Sequence, residues 1–226
     1  MVSENLKQVR ANIKAACERT GRDPKDVLLV AVSKTKPVSL IEEAIEAGQD
    51  TFGENKVQEM CEKMEVLPNH LKWHMIGHLQ RNKVKYIAGK VELIHSVDSL
   101  RLAKQISDEA QKLQIEIPVL LEVNVAREES KFGFFTEEVE DACRAISKMP
   151  GICVKGLMTS APFVENAEDN RKYFKKLYEL AVDIQCKNID NISMRELSMG
   201  MTGDYVVAVE EGATIVRVGT GIFGSR

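Results

Sequence analysis

Short apolar runs alternate with helix-like segments along the whole chain, and this alternation constrains the fold more than any other feature. Eight runs have the length and composition of buried strands. They cover residues 27–33, 51–53, 73–76, 93–96, 119–125, 154–158, 196–199 and 214–218. Helical spacing follows at 38–47, 55–65, 80–88, 98–113, 136–147, 167–186 and 203–211, and a further helix is predicted over 3–20.

Strands that alternate with helices form βαβ units and a parallel sheet. Eight strands in 226 residues predict a closed (β/α)8 barrel of the TIM type in a single domain, residues 1–226. We expect the extra N-terminal helix to cover the N-terminal end of this barrel. The alternative is an open, doubly wound sheet, but no Gly-x-Gly-x-x-Gly sequence follows the first strand.

Composition and charge exclude several classes of protein. A net charge of −3 leaves no basic surface for nucleic acid. The five cysteines include no Cys-x-x-Cys pair, so neither a zinc ribbon nor a dithiol redox site is indicated, and no other metal site is expected. The N-terminus lacks the apolar core of a signal peptide, and no apolar run is long enough to span a bilayer. We therefore expect a cytoplasmic protein without membrane partners.

Polar residues stand at the carboxyl ends of the predicted strands. In a (β/α)8 barrel these ends meet at one face, where active sites lie. They are Lys34, Glu54, Asn55, His78, Ser96, Asn124, Thr159, Ser160, Ser198 and Arg217. The sequence therefore predicts a functional site at this face.

Lys34 follows the first strand, whose other residues are apolar. Burial disfavours the ammonium form of a lysine and frees its amine for Schiff-base chemistry. The alternative is a lysine that reaches the barrel rim or pairs with a carboxylate. Lys36 lies two residues further on, and it is interpreted either as a solvated rim lysine or as a second amine that attracts phosphate or exchanges an aldehyde with Lys34.

Two turns have the composition of a phosphate site. Ser198 precedes Gly200 after the seventh strand, and Gly219, Thr220 and Gly221 follow the eighth. Glycine lets backbone N–H groups approach an anion, and the loops after strands seven and eight form the usual phosphate site of this barrel. Tight turns without a ligand are the alternative. A Schiff-base lysine opposite a phosphate site suggests pyridoxal phosphate. Arg217 is the candidate partner of the ring nitrogen, and a salt bridge at the barrel rim is its alternative role.

Six motifs in a fixed order make the chain similar to the pyridoxal phosphate homeostasis protein family, also known as the proline synthase co-transcribed homologues. They are AVSKTKP (31–37), FGEN (52–55), WHMIGHLQRNK (73–83), GLMT (156–159), LSMGM (197–201) and VRVGTGIFG (216–224). The segment TGDY (202–205) departs from the more usual Ser-x-Asp-Met. The resemblance implies a barrel like that of bacterial alanine racemase.

The resemblance also implies a role for each site residue. Lys34 matches the Schiff-base lysine, Arg217 the arginine at the pyridine nitrogen, and Asn55 a residue that lines the pocket. Ser198, Gly219 and Thr220 match the phosphate-binding residues. The implied function is intracellular homeostasis of pyridoxal 5'-phosphate, which the protein would hold, buffer and deliver to apo-enzymes.

Catalysis is the main alternative. An amino-acid racemase or lyase using the same imine needs a second acid or base on the other face of the substrate. Tyr205 and His78 are the candidates, although we expect Tyr205 to pack against a helix. In alanine racemase this group is a tyrosine of a partner subunit, supported by a second domain. Here the sequence ends at Arg226, immediately after the eighth strand unit, so we expect no second domain and a monomer. A sugar-phosphate aldolase, the third class, would need its lysine on a later strand.

Overall fold

Eight parallel strands close into a barrel in chain order. The structure is a computed structural model that describes residues 1–225. Its strands are β1 (Leu28–Val32), β2 (Thr51–Glu54), β3 (Lys72–Met75), β4 (Leu93–Val97), β5 (Ile117–Glu122), β6 (Ile152–Met158), β7 (Ile192–Ser198) and β8 (Ile215–Val218). Each strand pairs with the next, and β1 pairs with β8. The predicted barrel is confirmed, and the open sheet is wrong.

Helices follow the strands and form the outer layer. They are α1 (Val2–Thr20), α2 (Val38–Glu46), α3 (Val57–Val66), α4 (Val84–Ile87), α5 (Leu100–Leu113), α6 (Val139–Ile146), α7 (Arg171–Cys186), α8 (Tyr205–Glu210) and α9 (Thr220–Phe223). The predicted helices 80–88 and 167–186 begin instead with 3-10 turns, at Arg81–Lys83 and Ala167–Asn170. None of the helices within residues 1–225 is long and apolar enough to cross a membrane.

Strand ends differ most from the sequence prediction. The first strand was expected to run to residue 33, whereas β1 ends at Val32 and Lys34 lies in the turn that follows. β7 begins at Ile192, four residues before the predicted start. The sequence pattern does not indicate residues 192–195 as strand, because Ser193 and Arg195 interrupt the apolar run there. Lys34 is consequently half-buried rather than enclosed by the strand.

The N-terminal helix lies in the outer layer and does not cover the end of the barrel. It buries Leu6, Val9 and Ile13 and packs against α2, α8 and α9, the helices that flank β8 and β1. Asn5 Nδ2 donates to the Ile222 carbonyl (2.8 Å) near the carboxyl end of β8. The helix α1 is needed in the outer layer because α9, which is only about 6 Å long, cannot cover β8 alone.

The barrel interior changes from apolar to polar toward the carboxyl ends of the strands. Val30, Leu93, Leu120, Met158 and Ile215 form an apolar cluster of their own. Side chains of a strand alternate between its two faces, so the next inward positions belong to residues two further along. On β4, β5 and β8 these are His95, Glu122 and Arg217. The polar layer lies directly below the mouth of the barrel.

Gly156 allows the close approach of β6 and β7. A Cβ at this position would lie 1.8 Å from the backbone oxygen of Glu196. We expect Gly156→Ala to lower the free energy of unfolding by about 3 kcal/mol, because the two paired strands must separate. Urea denaturation measures this loss. Gly203→Ala is the matched control, since a Cβ there meets nothing within 4 Å; equal stability of the two variants would contradict the prediction.

Candidate functional site

A cavity of about 740 Å³ opens at the carboxyl end of the barrel. This volume lies within the range of small-molecule sites, roughly 300–1,000 Å³. Five of the six predicted site residues line it: Lys34, Asn55, Arg217, Gly219 and Thr220. The sixth, Ser198, does not. Another cavity of about 780 Å³ lies between α7, α8 and β7 and contains none of the six.

Lys34 enters this cavity from the turn after β1. Thr35, the next residue, has a left-handed backbone with φ of 61°. Asn55 follows β2 in the same way, and Gly77 packs against it so closely that a Cβ would lie 2.5 Å from the Asn55 carbonyl oxygen. Both side chains are half-buried at the cavity wall.

Arg217 is a buried cation at the base of the cavity, only 4% exposed. Its guanidinium donates from Nη1 to Ser198 Oγ (2.5 Å) and from Nη2 to the Thr159 carbonyl (2.9 Å). Burial lowers the pKa of Arg217 to about 10, so it stays protonated at neutral pH. These two bonds use two of the five N–H donors of a guanidinium, which leaves donors for a ligand.

Ser198 lies below the cavity in a chain of buried hydrogen bonds. Its Oγ is 2.8 Å from His95 Nδ1, and His95 Nε2 is 2.8 Å from His74 Nδ1. Burial lowers the pKa of His74 to about 4 and that of His95 well below its ordinary value. Both rings are therefore neutral, and the chain orients Arg217 without adding charge. Neither histidine is predicted as a site residue from the sequence, because both stand inside apolar strands.

Glu122 is a second titratable group of the polar layer. Burial raises the pKa of this carboxyl to about 7, and the negative charge of Asp98 adds to the effect. The positive charges of Arg217 and Lys131 act in the opposite direction. Glu122 is therefore partly protonated near neutral pH.

The turns after β7 and β8 meet at Thr202. The backbone N–H groups of Gly219 and Gly221 both point to Thr202 Oγ1, at 3.3 and 3.2 Å. Asp204 holds the Thr202 turn, because its Oδ1 accepts from the Met201 amide (2.7 Å). Two amides at the start of a helix that converge on one oxygen are suited to an anionic oxygen as well. Thr202 lines the cavity and was not among the predicted site residues, although its motif was noted.

Lys36 is half-buried, and it is not among the residues that line the cavity. Its ammonium group donates to the carbonyls of Gly224 (2.9 Å) and Ser225 (3.1 Å), beyond the end of α9. A cationic side chain is favoured near the C-terminal end of a helix, where it can bind nearby carbonyls. Lys36 thus ties the Lys34 turn to the glycine turn after β8.

Tyr205 and His78, the two candidates for a second catalytic base, form hydrogen bonds with residues outside the cavity. Tyr205 is buried, and its hydroxyl accepts a hydrogen bond from Asn12 Nδ2 (2.8 Å) on α1. His78 Nδ1 is 2.9 Å from Asp98 Oδ2, and its ring stacks on Phe132 with centroids 3.8 Å apart. Neither residue belongs to the described cavity lining.

Comparison with known sequences confirms the resemblance stated from the motifs. A sequence model of the family described as alanine racemase, N-terminal domain, matches residues 5–226. The pyridoxal phosphate homeostasis protein of Aquifex aeolicus (strain VF5) is 47% identical over 224 residues, which cover 99% of this chain and 97% of the relative. The protein of the same name from Escherichia coli (strain K12) is 38% identical over 230 residues, with coverage of 100% and 97%.

Solved structures have the same fold. PipY of Synechococcus elongatus PCC7942 with PLP bound superposes with a TM-score of 0.85 at 33% identity, over 99% of this chain and 100% of PipY. An alanine racemase of Clostridium difficile 630 superposes with a TM-score of 0.73 at 16% identity, over 99% of this chain and 57% of the racemase, and shows the fold alone. By sequence and by structure, the chain belongs to the pyridoxal phosphate homeostasis protein family, whose barrel is that of the alanine racemase N-terminal domain.

Proposed function

We propose that this chain binds pyridoxal 5'-phosphate at the mouth of its barrel, as a reversible Schiff base on Lys34, and serves to hold and buffer the cofactor inside the cell. One observation carries the proposal: a single cavity is lined by Lys34, Arg217, Gly219 and Thr202. The amides of Gly219 and Gly221 converge on the Thr202 hydroxyl oxygen at its edge. Relatives named for pyridoxal phosphate homeostasis, and PipY with PLP bound, support it.

The donor set fits the three reactive parts of the cofactor. Lys34 Nζ would add to the aldehyde carbon, form a C=N bond and release water; water reverses the same step. The amides of Gly219 and Gly221 and the hydroxyls of Thr202 and Thr220 would hold the phosphate, and Asn55 would line the ring. When bound, the cofactor supplies an aldehyde that takes up amines and a ring that accepts electrons.

Arg217 disfavours transamination, which needs the cofactor ring as a strong electron sink, more than it disfavours racemisation. A guanidinium donates hydrogen bonds and keeps its proton at neutral pH, so a ring nitrogen facing Arg217 stays unprotonated. An unprotonated pyridine is a weaker electron sink than one that faces an aspartate. We assign Ser198 to the orientation of Arg217 rather than to the phosphate, because its hydroxyl is buried and bonded to Arg217 Nη1.

Turnover as a racemase needs a second proton-transferring group at the cavity. Tyr205 and His78 are held by Asn12 and Asp98, and these positions favour a cofactor-holding protein over a racemase. We also propose that the protein acts as a monomer in the cytoplasm, with residues 1–226 as a single domain. Delivery to apo-enzymes is part of the proposed homeostasis role.

Lys34→Ala tests the anchor. Wild-type protein mixed with pyridoxal phosphate is expected to develop a Schiff-base absorption band, and borohydride reduction should leave the adduct on the Lys34 peptide in mass spectrometry. Lys34→Ala should lack both because it has no amine at the cavity. Lys56→Ala, which removes an exposed lysine after β2, should keep both. An adduct that maps to another lysine in the wild type would contradict the proposal.

Thr202→Val and Ser198→Ala distinguish the two hydroxyls. Hydrogen bonds to charged groups contribute about 1.5–3 kcal/mol, so Thr202→Val should weaken pyridoxal phosphate binding by about 10-fold or more and leave pyridoxal binding nearly unchanged. Ser198→Ala should weaken the binding of pyridoxal phosphate and of pyridoxal by the same factor, because Ser198 affects both ligands through Arg217. Absorption titrations with the two ligands measure this. A selective loss of pyridoxal phosphate binding in Ser198→Ala would indicate that Ser198 binds the phosphate group.

Exchange of α-deuterium separates carriage from racemisation. The cofactor-loaded protein incubated with α-deuterated L-alanine is expected to retain the deuterium, since no second base is assigned at the cavity. Mass spectrometry of the recovered amino acid measures retention, with Lys34→Ala as the background. Loss of deuterium above that background would favour the racemase.

A further inference from the structure

A buried ion cluster lies behind the turn that carries Lys34, on the side away from the cavity. It consists of Lys63 on α3, Glu54 at the end of β2 and Glu59 on α3, here called the Lys63 cluster. Lys63 Nζ is 2.7 Å from both Glu54 Oε1 and Glu59 Oε1. The Lys63 side chain is 8% exposed, and that of Glu54 is fully buried.

The Lys63 cluster forms hydrogen bonds with the residues on both sides of Lys34. Lys63 Nζ donates its remaining hydrogen bond to the Ser33 carbonyl (2.8 Å). Glu59 Oε1 accepts from the Thr35 amide (2.5 Å), and Glu54 Oε1 accepts from Ser33 Oγ (2.6 Å). The residues immediately before and after Lys34 are therefore fixed to the same three side chains.

The turn needs such support. Thr35 has φ of 61°, a left-handed conformation that is a genuine outlier for a β-branched residue. Strained residues of this kind persist only where their surroundings over-determine them. The bond from the Thr35 amide to a carboxylate is one such contact, and charged acceptors make the stronger hydrogen bonds.

Stability alone is a poor reason for this cluster. Buried ion pairs are often no more stabilising than well-packed apolar residues of the same volume, because desolvation offsets their attraction. Burial raises the pKa of Glu54, and its Oε2 has no hydrogen-bond partner among residues 1–225. Burial of Glu54 therefore costs desolvation free energy. The Lys63 cluster nevertheless fixes two backbone groups of the Lys34 turn.

We propose that Glu59, Lys63 and Glu54 are positioning residues, which hold the turn at residues 33–36 so that the Lys34 amine faces the cavity in the geometry needed for imine formation. This inference rests on the proposed Schiff base at Lys34. It assigns a function to three residues that do not touch the cofactor.

Amide hydrogen exchange of the ligand-free protein tests the grip directly. Glu59→Ala should raise the exchange rate of the Thr35 amide by about 10-fold or more, because a hydrogen bond to a charged group is lost. Glu65→Ala is the matched control, an exposed glutamate on the same helix. The global melting temperatures of both variants are measured alongside. Unchanged exchange at Thr35 in Glu59→Ala would overturn the inference.

The rate of Schiff-base formation tests the consequence. Stopped-flow absorption with pyridoxal phosphate should show Glu59→Ala forming the band about 10-fold more slowly than the wild type, with Glu65→Ala unchanged. Glu59→Gln should recover most of the rate, because its amide oxygen can accept from the Thr35 amide. A wild-type rate in Glu59→Ala, or no recovery in Glu59→Gln, would overturn the inference and leave the cluster a structural tie.

Failure of the inference differs from failure of the proposed function. If the wild type forms the imine on Lys34 and Glu59→Ala forms it equally fast, only the inference fails. If the wild type forms no imine on Lys34, the proposed function fails and the inference fails with it.

Discussion

Pairing of the first strand with the last is the interaction on which the candidate site depends. β1 and β8 come from opposite ends of the chain and align Val30 with Arg217 and Ala31 with Val218. Lys34 follows one strand and Gly219 the other, so closure of the barrel makes the amine and the glycine turn neighbours. Lys36 strengthens the same junction, because its ammonium binds the Gly224 carbonyl across it (2.9 Å).

Buried polar groups are arranged differently on the two sides of the strands. Inside the barrel, Arg217 is oriented by neutral groups, Ser198 and His95, so its positive charge is not cancelled by a hydrogen-bonded carboxylate. Outside, Lys63 meets carboxylates directly and holds backbone groups. The inner arrangement leaves a cation and free donors for a ligand, whereas the outer one uses its donors within the protein.

The fold by itself does not distinguish carriage from catalysis. The barrel superposes on an alanine racemase at 16% identity, and one fold hosts many functions. The difference lies in particular side chains. Tyr205 faces α1, where its hydroxyl bonds Asn12, and His78 is bound to Asp98 on the rim. An amine, a cation and converging amides at the mouth of the barrel are suited to the proposed binding of an aldehyde phosphate.

The sequence is sufficient to predict the barrel, because the periodic alternation of strands and helices leaves few ways to bury its apolar faces. It also determined the family through motifs in fixed order, and it placed five of six proposed site residues at the cavity. It did not reveal which face of a strand each polar residue takes. Strands of a parallel barrel are buried on both faces and show no clean alternation. Tertiary structure alone therefore decided that Ser198 lies beneath the cavity, that Thr202 lines it, and that Glu54 points outward to Lys63.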